Sequence, residues 1–155
     1  MRQRTRDRGS IVVLTTAGLV ALLGATTLAV DVGYLYVVRN QLQNAVDAAA
    51  LAGAQGLMQE PGNYSATGPA VRLAIEYAAR NQAAGQPVQL SPDEITFPKP
   101  NVIRIEIVRP ARTFFGIVLG VRQAHIRVRA AAVVAPAVGG TGGWRPLAPP
   151  DQFGH

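Results

Sequence analysis

Few residues in this 155-residue chain are equipped to make or break bonds. Cysteine is absent, which excludes a disulfide framework, a thiolate metal site and a sulfur nucleophile together. The two histidines are His125, in an alternating apolar and polar stretch, and His155 at the end of the sequence. Neither has companions at metal-ligand spacing. Asp93 and Glu94 are adjacent carboxylates after Pro92, which is more often the start of an element than an acid–base pair. Gly139 to Gly143 (GGTGG) lacks the following Lys-Ser/Thr and helix of a phosphate loop and reads as a linker. No catalytic residue, cofactor, metal or small-molecule substrate is expected. The guanidinium remains. Residues 99–129 hold seven basic groups and one acidic group, whereas 31–98 hold three basic and six acidic. Arg104, Arg109, Arg112, Arg127 and Arg129 therefore form a candidate polyanion face, with the solvated side of a sheet as the plainer alternative. Sequence-specific nucleic-acid recognition is not expected.

The elements that carry these residues start with a membrane anchor. Apolar residues make up 48% of the chain and charged residues 15%, against roughly 25% charged in ordinary soluble domains. Ile11 to Val30 is an uninterrupted uncharged run, IVVLTTAGLVALLGATTLAV. As a helix it spans about 30 Å, the thickness of a bilayer's hydrocarbon core. Arg2, Arg4, Arg6 and Arg8 precede it and Asp31 follows it, so the positive-inside rule keeps the N-terminus in the cytoplasm. The competing reading is a cleaved secretory signal. The run is longer than such an apolar region, and DVGYLYVVRN continues as helix, which favours an uncleaved signal-anchor.

Beyond the anchor, Leu35, Val38, Leu42, Val46, Ala49 and Ala52 recur at helical spacing, and proline is absent up to Leu57. One helix is expected from Ile11 to Leu57. The small residues Ala45, Ala49, Ala52 and Gly53 allow close packing, either on another chain or on the protein's own head. Pro61-Gly62-Asn63 ends the helix, and a second is expected from Pro69 to about Ala84, with Gly85 as its stop. Strands are expected at Gln86–Leu90, Glu94–Phe97, Val102–Val108 (ended by Pro110) and Gln123–Val134, and a short apolar helix at Thr113–Leu119, with a strand as the alternative there. The architecture is thus α+β. A cytoplasmic basic leader (1–9) and a transmembrane helix (10–30) precede a stem helix (31–58). A head (59–135) of one to two helices and a three- to four-stranded antiparallel sheet follows, then a Pro/Gly-rich tail (136–155). The head is small and should lean on the stem for its core.

The stretch RGSIVVLTTAGLVALLGATTLAVDVGYLYVVRNQLQNAVDAAALAGA resembles the N-terminal module of TadG/TadE-like proteins of the tight-adherence (Flp-type) pilus machinery. The resemblance rests on Arg8-Gly9, on Ala29 to Gly33 (with Asp31) followed by Tyr36, on Gln43-Asn44 and on Asp47 to Ala52. Phe114, Phe115 and Gly116 before an alternating strand continue it, and WRPLAPPDQF is similar to the segment that leads into further sequence in longer members. The resemblance implies a non-catalytic bacterial envelope component in the inner membrane, with residues 31–155 periplasmic or extracellular. Its implied partners are the membrane and other pilus-assembly proteins or copies of itself through the stem. Gly9-Ser10, after a basic leader and before an apolar helix, is where a prepilin-type peptidase would cut. Leu14 stands at the fifth position after Gly9, where pilins of this system usually carry Glu, so retention of the leader is the expected outcome.

Overall fold

A computed structural model describes residues 4–135. Its main element is a single helix, α1, Arg4–Gln59, of 56 residues. From Ile11 to Val30 it is exposed on nearly every side. Thr16, Thr26 and Thr27 direct their hydroxyls to Val12, Leu22 and Gly24 carbonyl oxygens one turn back, so these three polar groups are satisfied within the helix. From Val38 onward one face turns inward: Val38, Leu42, Ala45, Val46, Ala49, Ala50, Ala52 and Leu57 are buried.

Pro61 and Gly62, the latter at φ +85°, end α1 and start the turn to α2, Pro69–Ala79. Pro69 opens α2 at a position whose N–H has no helical partner anyway. Ala70, Val71, Ala74 and Ala78 face α1 and the sheet. Two short strands, β1 (Gln82–Ala83) and β2 (Gln86–Pro87), make a minimal hairpin. A three-stranded antiparallel sheet follows, β3 (Ile95–Lys99), β4 (Val102–Arg112) and β5 (Gln123–Val133), in that order. Alternation on β4 buries Ile103, Ile105 and Ile107 and exposes Arg104, Glu106 and Val108. The buried face lies on α1, against which α2 also packs, giving one α+β core.

Several expected boundaries move. α2 stops at Ala79 rather than about Ala84, because the Asn81 N–H turns back to the Ala78 carbonyl and its side chain to that of Tyr77. Ala84 (φ +50°) and Gly85 (φ +75°) then form the two-residue turn between β1 and β2, and β2 covers only the first part of the strand expected over Gln86–Leu90. Pro110 does not end β4, which continues to Arg112 with Pro110 opposite His125. The Thr113 N–H bonds the Arg122 carbonyl across the hairpin, so alternation points the nitrogen of Pro110 to the other edge. There β3 has already ended opposite Ile105, and no ladder bond is lost. The helix expected over Thr113–Leu119 reduces to one 3-10 turn, Gly116–Leu119, closed by Gly120 at φ +80°. The tail residues, His155 and Gly139–Gly143 included, lie outside the described residues.

Candidate functional site

The most constrained polar group sits where the apolar run ends. Asp31, 4% exposed, is the buried charged residue of the described chain. Its carboxylate accepts from three consecutive backbone N–H groups of the β4–β5 loop. Phe114 donates to Oδ1 at 2.8 Å, Phe115 to both oxygens at 3.2 and 3.0 Å, and Gly116 to Oδ2 at 2.6 Å. The first N–H groups of a helical turn have no partner within it, so an anion there is favoured. Gly116 is required by space: a Cβ would lie 2.8 Å from Thr113 Oγ1 and 2.9 Å from the Val121 carbonyl oxygen. Phe114 also meets Tyr34 edge-on, with centroids 4.9 Å apart. Two motifs that the sequence shows separately, Asp31 and Phe114-Phe115-Gly116, are thus one joint. It fastens the head to the end of the apolar run. Beside it runs an apolar groove of about 320 Å³, lined by Val20, Leu23, Gly24, Thr27, Leu28 and Phe115 among others.

The other motif residues divide between two faces of α1. Ala49, Ala52 and Gly53 are buried against the protein's own head. The close-packing stripe therefore lies in this chain's own core. At Gly56 a Cβ would lie 2.5 Å from the Ala70 Cα, so the α1–α2 crossing needs a glycine there. Gly33, Tyr36, Asn44 and Asp47 face outward on the exposed side of the stem. A Cβ on Gly33 would meet nothing within 4 Å. Ser10 is exposed, and Gly9-Ser10 lies within α1.

Stem glutamines, not foreseen as contacts, tie down the head. Gln41 Oε1 accepts from the Ala84 N–H at 3.0 Å, which holds the positive-φ turn. Gln43 Nε2 donates to the Arg129 carbonyl at 2.9 Å, covering part of the free edge of β5, and to Asp47 Oδ1 at 3.0 Å.

The five candidate arginines sit in different surroundings. Arg109 turns back to Glu94, making bonds of 2.6 and 2.9 Å to its two carboxylate oxygens, and donates to the Gln89 carbonyl. Its hydrogen bonds hold the Glu94 carboxyl below the ordinary carboxylate range despite partial burial, helped by the Ser91 N–H. The Arg109 guanidinium is correspondingly pushed above its usual value. Glu94, one half of the adjacent carboxylate pair, is therefore a structural clasp. Arg127 lies 3.6 Å from Glu106, with Arg129 opposite Glu106 in the ladder, Arg104 further along the same exposed face and Arg112 at the loop end. His125 is exposed on β5, and no group of three or more His, Cys, Asp or Glu among the described residues is placed to hold a metal.

The geometry describes an α+β head carried on the C-terminal part of a helix that is long and apolar enough to cross a membrane. Residues 9–56 match the protein-family model described as "Putative Flp pilus-assembly TadE/G-like". The match covers most of α1 and includes Asp31 and the outward-facing motif residues, in agreement with the resemblance drawn from the motifs. No curated protein and no solved structure matches the chain.

Proposed function

We propose that this protein is a single-pass structural or accessory component of a Tad/Flp-like pilus or adhesion assembly, held in the bacterial inner membrane and without catalytic activity. The observation that carries this reading is the double use of α1. Over Ile11–Val30 its side chains lie bare, and from Val38 to Leu57 one face of the same helix is the floor of the head's core. An apolar helix exposed all round belongs in lipid or among other apolar helices. The outward face with Gly33, Tyr36, Asn44 and Asp47 is where assembly partners would meet the stem. Deleting the gene should abolish surface pili and adherence, and re-expressing the full chain should restore both. Normal piliation in the deletion strain would remove this reading. A second reading, a processed pilin-like subunit, draws on the same bare helix and on Gly9-Ser10 at its head. It differs in where the helix ends up, packed among copies rather than in lipid.

A further inference from the structure

We infer that the β4–β5 loop, residues 113–121, is a second membrane contact, a lipid-inserting tip that enters the leaflet at the Asp31 end of the apolar helix. The inference rests on the membrane-anchored reading. Three observations carry it. The first is position. The loop is bonded to Asp31, the first residue past the apolar run, and its Phe115 lines a groove that continues to Val20, about 16 Å further down the helix. The tip thus lies against the span and not above it.

Chemistry is the second observation. Phe114, Phe115, Ile117 and Val121 are 58, 42, 55 and 49% exposed, an apolar patch that continues onto exposed Leu23 and Leu28 of the span. Exposed Arg112 and Arg122 stand at the two ends of this loop. Apolar residues at a tip with arginines at its neck match a lipid interface, where long basic side chains reach headgroup phosphates. Aromatic rings are also favoured at this depth.

The third observation is that many of the loop's backbone N–H groups already have partners, which lowers the cost of entering lipid. Asp31 takes the N–H groups of Phe114, Phe115 and Gly116. Within the loop, Thr113 Oγ1 donates to the Val121 carbonyl at 2.5 Å, the Val121 N–H to Gly116 and the Gly120 N–H to Ile117. The Thr113 N–H bonds the Arg122 carbonyl. Water would satisfy such groups for a loop in solution, whereas hydrocarbon would leave unpaired ones several kcal/mol unfavourable.

The test uses full-length protein in phosphatidylcholine vesicles containing brominated lipid, with Trp144→Phe removing the native indole. Single tryptophans are placed by Phe115→Trp in the loop, Leu22→Trp in the span and Val133→Trp on β5. Expected are blue-shifted emission and bromolipid quenching at Phe115→Trp comparable to Leu22→Trp, with Val133→Trp unquenched. Quenching at Leu22→Trp with water-like, unquenched emission at Phe115→Trp overturns the loop inference and leaves the anchor standing. An unquenched Leu22→Trp removes the anchor and the inference with it. Blue-shifted Phe115→Trp emission that bromolipid does not quench points to a second copy's helix in the groove, and also overturns the inference.

Discussion

At Asp31 one carboxylate serves three amides, and this sets the expected effect of Asp31→Asn. The variant keeps one acceptor oxygen, loses the charge and turns an NH2 group toward N–H donors. Amide hydrogen exchange at Phe114, Phe115 and Gly116 should rise toward that of an open loop, while the β4 and β5 amides stay protected. Unchanged exchange at those three amides would count against the joint. The Glu94–Arg109 clasp gives a pH-dependent counterpart. Glu94 has its carboxyl lowered from an ordinary value of 4.5, so its contribution is fully present above that value and is lost as pH falls through the lower native one. Glu94→Gln should therefore be less stable than the parent by about 1 kcal/mol near neutrality. The gap should close as denaturation is repeated at falling pH below 4.5, and a pH-independent gap would refute the clasp. Both residues are conspicuous in the sequence, but their partners are not. Asp31 and Phe114 are 83 positions apart, and spacing carries no sign of which loop returns to which helix turn.

Elements were more legible than joints. The 20-residue apolar run, the stem periodicity and the Ile103-Ile105-Ile107 alternation all reappear as built, because each repeats a single physical rule over many residues. Their ends moved where one side chain or one sheet edge decided the outcome, as at Asn81 and Pro110. Two of the stem glycines, Gly33 and Gly56, separate helix preference from packing. Gly56→Ala drives a methyl into the α2 backbone and should cost the head about 1–3 kcal/mol in chemical denaturation. Gly33→Ala meets open space and favours helix, so head stability should be unchanged or raised by up to about 1 kcal/mol. Equal effects of the two substitutions would mean that the crossing is not as tight as it stands. Ala49→Leu, at a position with no exposure, belongs with Gly56→Ala and should destabilise by a similar amount.

For the whole molecule, the fate of Met1–Gly9 separates an anchored accessory from a filament subunit. A subunit must leave the bilayer, and the four leader arginines oppose that for as long as they remain attached. Mass spectrometry of the chain's N-terminus from the membrane fraction is expected to find the leader retained. A chain beginning at Ser10 would transfer the protein to the filament. That a long, apolar N-terminal helix is followed by small α+β elements could be read from composition and period. That the head would lean on the long helix could be read from its small size, but which face of α1 the sheet covers could not.

A 56-residue helix that serves both as span and as core floor leaves no swivel between the two. A head on a flexible tether would absorb a sideways pull by reorienting. Here the head's sheet rests on α1, and its hairpin loop grips the same helix at Asp31, so a load on the head arrives in the bilayer as tilt or roll of the whole helix. The head's azimuth about the helix axis is set by the same contacts. Neighbouring copies whose spans touched would then have their heads pointing in directions already fixed within the membrane.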